Sequence, residues 1–240
     1  MTTIKFNDID ISKFKVTKPR DGAKMKTFFI DYDNELFTVQ TPKFLLDWGG
    51  VPKKDAYHKT DADCRYVMYG ITAQNKAKTR ETASEHSHRT QKLKQFEEWL
   101  LDIEEWIQSD TVSKVLFGKT SGDFIPLIRD GTPNKIKFKF YCDRDTNDPS
   151  FDLYESTGDK CESQSTSGLS IEDLRSGAFR FMTNQRLIIQ FRGWTDKLVK
   201  RNQLPRYGLM MVIKGVEYSA RNTPQKTKIK DEFIDTSDDE

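Results

Sequence analysis

One segment of this chain has the residue spacing of a long helix, and short strand-like segments lie on both sides of it. The helix is predicted over about residues 85–109. Apolar side chains recur there at intervals of three and four residues and so share one face, formed by Leu93, Phe96, Leu100, Ile103 and Ile107. Helices and strands do not alternate along the chain, which argues against a parallel βαβ sheet. The sequence therefore predicts a mainly β protein, a small antiparallel barrel with one inserted helix.

β-Branched and aromatic residues mark the strand-like segments. The predicted strands cover residues 25–32, 35–40, 65–71, 136–141, 151–155, 178–182, 186–192 and 209–218. Asp33 and Asn34 separate the first two, and this pair is a two-residue turn signal for a hairpin. Residues 156–170 are rich in Ser, Thr and Gly and are predicted to form an exposed loop.

The charges are distributed unevenly along the chain. The last ten residues hold six of the 37 acidic residues and no basic one, so the rest of the chain carries 39 basic and 31 acidic residues. A basic body is typical of polyanion binding, because Lys and Arg release counterions from phosphates. We therefore predict one domain over residues 1–218, a basic linker over 219–230 and an acidic, disordered tail over 231–240. In the alternative reading, the tail only aids solubility.

The apolar segments are short and the cysteines are scattered. No apolar run approaches the ~18 residues of a membrane span, and the first residues lack the hydrophobic region of a signal peptide. Three cysteines without a CxxC pair cannot form a disulfide framework. We expect no membrane partner and a reducing compartment.

Two segments resemble ligand-binding motifs but are incomplete. Residues 117–120 end like a phosphate-binding loop, but Ser113 occupies the position of its first glycine. Asp143, Asp145 and Asn147 have the spacing that opens a calcium-binding loop. The glycine and the glutamate that complete such a loop are missing, so a hairpin loop built on Asx turns is predicted instead.

No other pattern in the sequence indicates catalysis or metal binding. His86 and His88 are two residues apart and cannot face one metal ion from a helix. The chain has no nucleophile elbow and no catalytic Cys/His or HExxH signature. We expect no enzymatic activity, no cofactor and no metal. A metal-dependent nuclease built from dispersed carboxylates remains an alternative.

Basic and aromatic side chains fall opposite the apolar face in residues 136–141 and 186–194. A tryptophan beside arginines suits a single-strand binder, since bases stack on aromatic rings at ~1–3 kcal/mol each while cations follow the phosphates. The candidate DNA-binding residues are Trp194, Arg192, Arg186, Lys137, Lys139, Tyr141, Lys197, Arg206 and Tyr207. The alternative is that Trp194 caps the end of the barrel and the charges are merely solvated. Alternation directs Phe191 inward.

The order of these elements resembles the virus-encoded single-stranded DNA-binding proteins of the acidic-tail phage type and their relatives in large nucleocytoplasmic DNA viruses. The resemblance covers about residues 25–240. It rests on residues 136–142 with 151–154, on residues 187–194 with 207–217, and on the acidic end at 238–240. It implies an OB-fold-like antiparallel barrel. Residues 1–24 match no part of the pattern.

The resemblance also implies functional residues. In that family an aromatic residue followed shortly by a tryptophan stacks on DNA, which implicates Phe191 and Trp194. The two arguments disagree about Phe191, so we rank Trp194 first. The family's tail recruits replication enzymes and competes with DNA for the basic groove. The corresponding residues here are Phe233, Asp235, Asp238, Asp239 and Glu240.

Together these features predict a non-catalytic, sequence-independent binder of single-stranded DNA. It would act in viral DNA replication, recombination and repair at the replication sites of an infected cell, in the cytoplasm or the nucleus, with a homodimer as one possible state. The main alternative is a structural or scaffold protein of a virion. RNA binding is a closer alternative, because stacking and phosphate contacts do not distinguish the two polymers.

Overall fold

The computed structural model describes residues 1–21, 25–46, 48–70, 82–118, 121–131, 134–157, 160–196 and 203–219. The helices are α1 (Ala83–Ile107), α2 (Asp110–Phe117) and α3 (Ile171–Ser176). The strands are β1 (Thr2–Lys5), β2 (Phe14–Val16), β3 (Arg20–Asp21), β4 (Met25–Tyr32), β5 (Glu35–Gln40), β6 (Phe44–Leu45), β7 (Gly49–Gly50), β8 (Tyr66–Gly70), β9 (Asp123–Ile125), β10 (Lys135–Lys139), β11 (Asp152–Thr157), β12 (Lys160–Gln164), β13 (Asn184–Asp196) and β14 (Arg206–Ser219). The prediction of a mainly β fold with one long helix is confirmed.

The strands form one sheet around the long antiparallel pair β13–β14. Its order is β1-β5-β4-β13-β14-β10-β8-β7, and over the described residues β1 and β7 do not pair, so the sheet is open and is not closed into a barrel. It is also mixed, where an antiparallel sheet was predicted. Strands β9, β10 and β11 pair in parallel with successive parts of β14. Parallel pairing becomes possible because long connections separate these strands from β14.

The β4–β5 hairpin forms at its predicted turn. Asp33 and Asn34 have φ of 51° and 68°, the left-handed values of the two-residue turn whose twist matches a hairpin. Alternation then places Phe28 and Ile30 of β4 in the core. The predicted strands over residues 25–32 and 35–40 are confirmed to the residue.

Helix α1 covers one face of the sheet. It begins at a capping box in which Thr82 accepts from the amide of Glu85 and the Glu85 carboxylate accepts from the amide of Thr82. The predicted apolar face is confirmed, and all five of its residues are buried. Trp99 packs against Phe191 of β13 at 5.8 Å between ring centroids. We call the sheet face under α1 the inner face and the opposite one the outer face.

Two local predictions are wrong. Residues 178–182 form a turn after α3 and no strand, and Met182 has φ of 66°. Their apolar character reflects the burial of Ala178 and Phe179 behind that helix. Residues 160–164, predicted to be loop, form β12, which pairs with β11. Among the described strands β12 pairs with β11 alone and is therefore an edge strand. Such a strand needs few apolar residues, which explains why β12 lacks the usual composition of a strand.

The ends of the chain add further detail. Strand β1, from the region without a resemblance, pairs in parallel with β5. Ser219, predicted to start the linker, is the buried last residue of β14. The rest of the predicted linker and the whole acidic tail, with Phe233, Asp235, Asp238, Asp239 and Glu240, lie outside the described residues. In the part of the chain that is described, no helix is long and apolar enough to cross a membrane.

Candidate nucleic-acid interface

Five neighbouring strands bring basic and aromatic side chains into one row on the outer face. The strand registers pair Phe29 with Arg192, Arg192 with Met210, and Lys139 with Tyr66. The Lys139 ammonium closes the remaining step, because its Nζ lies 3.3 Å from Sδ of Met210. The β10–β14 register pairs Lys139 with Val212, two residues beyond Met210, so this step is diagonal. The row therefore runs Phe29, Arg192, Met210, Lys139, Tyr66 across β4, β13, β14, β10 and β8. We call it the cross-sheet row.

Arg192 lies between two aromatic rings. Its guanidinium carbon is 5.4 Å from the ring centroid of Phe29 and 5.2 Å from that of Tyr141. Both distances lie within the range of cation–π attraction. Its Nε is buried and has no hydrogen-bond partner among the described residues. A buried donor left in this state is costly, and an anion bound at the guanidinium would satisfy it.

Lys137 and Lys139 point outward from β10, as the alternation predicts, and both are half-buried. Burial, with the like charges of Lys139 and Arg129, lowers the pKa of Lys137 to about 8. Burial and Arg129 also lower the pKa of Lys139. Carboxylates would have raised both values. Over the described residues neither lysine forms an ion pair, so this part of the outer face is positively charged and uncompensated.

Two more cations extend this positive surface. Lys214 lies on β14, and its pKa is lowered by burial and by the charge of Arg192. Lys135 begins β10, and its Nζ lies 5.4 Å from the ring centroid of Trp48. Alternating residues of a strand are about 6.6 Å apart, so Lys135 and Lys137 offer a regular series of charges along β10.

Trp194 also belongs to the outer face. It is half-buried, and its strand register places it between Thr27 of β4 and Gly208 of β14. The indole lies against Gly208, where an added β-carbon would come within 3.2 Å of the indole Nε1. The side chain therefore rests on the sheet two residues beyond Arg192. Tyr141, at 39% exposed, completes the aromatic surface next to that arginine.

Three predicted site residues are buried, and the prediction that they face DNA needs correction. Arg186 is 2% exposed, and its Nη1 lies 3.4 Å from Oε2 of Glu217. The β11–β12 hairpin covers this end of the outer face, where Tyr154 and Cys161 pack with Ile188. The outward alternation of Arg186 is thus correct, but the side chain is buried against Glu217 of the neighbouring strand. The sequence pattern of β13 alone contains no sign of this partner.

Phe191 and Tyr207 belong to the inner face. Phe191 is 1% exposed, in agreement with the alternation and against the resemblance. No irregularity occurs at Gly193, because the strand register shifts between Ile188 and Ile189 instead. Tyr207 is 3% exposed and packs against the ring of Phe124. Because β14 begins at Arg206, Tyr207 is already part of the strand, and strand alternation places its side chain on the inner face.

The two remaining candidates lie beyond the positive surface. Arg206 is exposed, but its Nε donates to Oδ2 of Asp196 at 3.1 Å, which offsets part of its charge. Lys197 lies outside the described residues. The structure therefore brings together five predicted residues, which are Trp194, Arg192, Lys137, Lys139 and Tyr141.

Sequence reasoning missed Phe29, Trp48, Tyr66, Arg129 and Lys214. Trp48 and Arg129 lie outside the longer strands and have no periodic pattern to direct them. Tyr66 and Phe29 lie in predicted strands, where alternation places them opposite the buried Val67 and Phe28. Their distance from the other site residues along the sequence hid their proximity.

The exposed surface of the second half of α1 is acidic. Glu98, Asp102 and Glu105 lie on the wet side of α1, as the sequence predicts, and α1 covers the inner face. An approaching polyanion would be repelled there and attracted to the outer face.

The rejected motifs correspond to ordinary local structure. Asp143 Oδ1 accepts from the amides of Asp145 at 2.8 Å and Thr146 at 3.0 Å, which confirms the predicted Asx turn. Phe117 and Gly118 end helix α2, where a phosphate-binding loop would follow a strand. Over the described ranges, no group of three or more His, Cys, Asp or Glu side chains is placed to hold a metal ion.

The chain matches no protein-family model and no curated protein.

Proposed function

We propose that this protein binds single-stranded DNA without sequence preference through the outer face of its sheet. The observation that carries the proposal is the cross-sheet row together with Lys137. Half-buried cations alternate there with aromatic rings and lack carboxylate partners among the described residues. Such a surface is unfavourable for the protein alone and becomes favourable when phosphates neutralise it.

Geometry favours a single strand over a duplex. The outer face presents Trp194 and Tyr141 as ring surfaces on a sheet, and a ring can stack only on a base that has no neighbour on that side. In a duplex the base faces are already stacked, so the same sheet would gain only the phosphate contacts. Arg192, Lys137 and Lys139 would follow the backbone of the strand.

The direct test is a fluorescence titration with oligo-dT and with duplex DNA of equal length at about 50 and about 200 mM salt. We expect tryptophan quenching by oligo-dT, weakened by salt and much poorer with the duplex. Oligo-U serves as the RNA arm. Equal affinity for duplex and single strand would contradict the proposal and favour a structural protein of the virion.

Trp194→Ala is expected to weaken oligo-dT binding about tenfold to hundredfold, because one stacked base contributes ~1–3 kcal/mol. Trp194→Phe keeps a ring in place and should lose much less affinity, while removing most of the quenching signal. Fluorescence anisotropy of labelled oligo-dT measures both variants. If Trp194→Ala binds oligo-dT as tightly as the wild type, the indole only caps the sheet and has no role in binding.

Lys137 should give binding a pH dependence. With its pKa at about 8, the ammonium is mostly charged near neutral pH and mostly neutral one unit above that value. A phosphate favours the charged form, so affinity is expected to fall as the pH rises through about 8, by roughly tenfold at about pH 9.

Lys137→Arg should flatten this profile, because a guanidinium stays charged throughout the range. Anisotropy titrations between about pH 7 and about pH 9 measure the profile, with Lys94→Arg on α1 as the matched control. A Lys137→Arg profile as steep as the wild type would show that another group controls the pH dependence.

The finer fold and the biological role are part of the same proposal. We take the open sheet to be a divergent form of the OB-fold-like barrel, supported by the inserted helix and by the parallel pairing of non-consecutive strands around β14. A single-strand binder of this kind would protect exposed strands in viral replication, recombination and repair, with partner proteins recruited by the acidic tail.

A further inference from the structure

A short chain of hydrogen bonds through His58 to Asp55 holds the Tyr66 ring in place. Its hydroxyl lies 2.8 Å from Nε2 of His58, and Nδ1 of that histidine lies 3.1 Å from Oδ1 of Asp55. The same Asp55 oxygen accepts from the backbone amides of Tyr57 and His58, both at 2.7 Å. The carboxylate is thus fixed by the loop, and it orients the imidazole and through it the phenol. Tyr66 has little freedom to rotate away from the sheet.

A cation lies over the face of this ring. Lys137 Nζ lies 3.5 Å from the ring centroid. Arg129 is close enough to act on the charges of Tyr66, Lys137 and Lys139. Over the described residues no carboxylate pairs with Lys137. Among the described residues, the ammonium is thus partnered by the π face of an aromatic ring, which attracts a cation less strongly than a carboxylate would.

A phosphate would be a better partner for this ammonium than the ring. Charge-assisted hydrogen bonds to phosphate are stronger than a cation–π contact at a half-exposed site. Lysine has a long, flexible stem, so Nζ can leave the ring without movement of β10. The departure uncovers a rigid, planar aromatic surface beside the bound phosphate.

We propose that Tyr66 and Lys137 form a second nucleotide subsite, in which Lys137 moves from the ring to a phosphate and a base stacks on the ring face it leaves. This inference rests on the proposed binding of single strands. Tyr66 lies three strands from Trp194 across the sheet and, by the strand registers, four residues further along it, a distance of about 19 Å. One strand running diagonally across the outer face can therefore occupy both positions, and a short oligonucleotide cannot.

The test compares oligo-dT of twelve nucleotides with an abasic strand of the same length, which keeps the phosphates and lacks the bases. Tyr66→Leu is expected to weaken oligo-dT binding about tenfold and to leave the abasic strand unaffected. Tyr66→Phe keeps the ring and should bind nearly as the wild type. Lys137→Met should weaken both ligands, because both carry phosphates.

The outcomes separate this subsite from the proposed function. If the wild type binds neither strand, the proposed function fails. If the wild type binds oligo-dT and Trp194→Ala weakens it while Tyr66→Leu does not, the second subsite alone is overturned. Equal losses of Tyr66→Leu on both ligands would also overturn it, since they indicate a general structural defect.

A second measurement does not depend on the folding of any variant. Oligo-dT carrying bromodeoxyuridine is irradiated on the wild-type protein, and the crosslinked residues are identified by mass spectrometry. The subsite predicts a crosslink at Tyr66 with the long oligonucleotide. Crosslinks at Trp194 or Tyr141 without one at Tyr66 would overturn it.

Discussion

Replacing Lys137 and Lys139 together with methionine is expected to make the protein more stable and to weaken its binding of oligo-dT about a hundredfold. Burial and like charges lower both pKa values, so each ammonium is less favourable in the folded protein than in the unfolded chain. Methionine keeps the length of the side chain and removes the charge. We expect a gain of about 1 kcal/mol in the free energy of unfolding, and the loss of two charge-assisted phosphate contacts.

The pH sets the sign and the range of the stability gain. Below the folded pKa of about 8 for Lys137, both states of the wild type carry the proton and the folded state bears the full cost. As the pH rises from there toward the unfolded value of about 10.4, the folded lysine loses its proton first and the cost disappears. The advantage of the variant should therefore be complete at neutral pH and shrink in alkaline solution.

Thermal unfolding across this pH range measures the first effect, and the salt dependence of affinity measures the second. The slope of log affinity against log salt should decrease by about 1.4, since each phosphate contact on a single strand contributes about 0.7. Lys94→Met, which removes a charge from α1 on the far side, should change neither quantity. A double variant less stable than the wild type would contradict the argument that these two charged lysines destabilise the folded protein.

The second large effect concerns Gly193, which lies between Arg192 and Trp194. A β-carbon at this position would overlap the ring of Phe28 on the neighbouring strand. Strand β13 is paired with β4 on one side and β14 on the other, so it cannot move away. We expect Gly193→Ala to lower the free energy of unfolding by about 3 kcal/mol. It should also weaken oligo-dT binding, because both neighbouring side chains would shift.

Two comparison variants make this result specific. Gly215→Ala on β14 would place a methyl group 3.3 Å from the side chain of Ile188, a contact that a small shift relieves. It should cost much less. The double variant Gly193→Ala with Phe28→Leu should recover part of the loss, since the smaller side chain makes room. Denaturant unfolding of the wild type, Gly193→Ala, Phe28→Leu and the double variant gives the coupling energy between the two positions. Full additivity would contradict the proposed clash.

The parts of the fold that the sequence predicts are those fixed by local periodicity. The spacing of apolar residues in α1 and the turn between β4 and β5 each depend on residues that are close together in the sequence. Both predictions agree with the structure. Arg186 shows the limit of this reasoning. Alternation assigns it correctly to the outer face, yet it is buried against Glu217, which lies 31 residues further along the chain.

The candidate site shows the same division. Lys137 and Lys139 could be found because both lie on one strand with strict alternation. Tyr66, Arg129 and Trp48 reach the same surface from three separate segments, and only the pairing of the strands places them there. Their contribution depends on topology, which no single segment encodes.

An open sheet has free edges, and such edges recruit strands from other molecules unless something blocks them. At the β7 end the final strand has two residues, Gly49 and Gly50, with φ of 86° and 97°. Backbone in this left-handed region cannot present the extended ladder of amides and carbonyls that an incoming strand requires. The β-carbon of any other residue at position 49 would also collide with the carbonyl of Met68. This edge is therefore closed to cross-molecular β-pairing, and on the proposed function it would keep many copies bound along one strand from aggregating edge to edge.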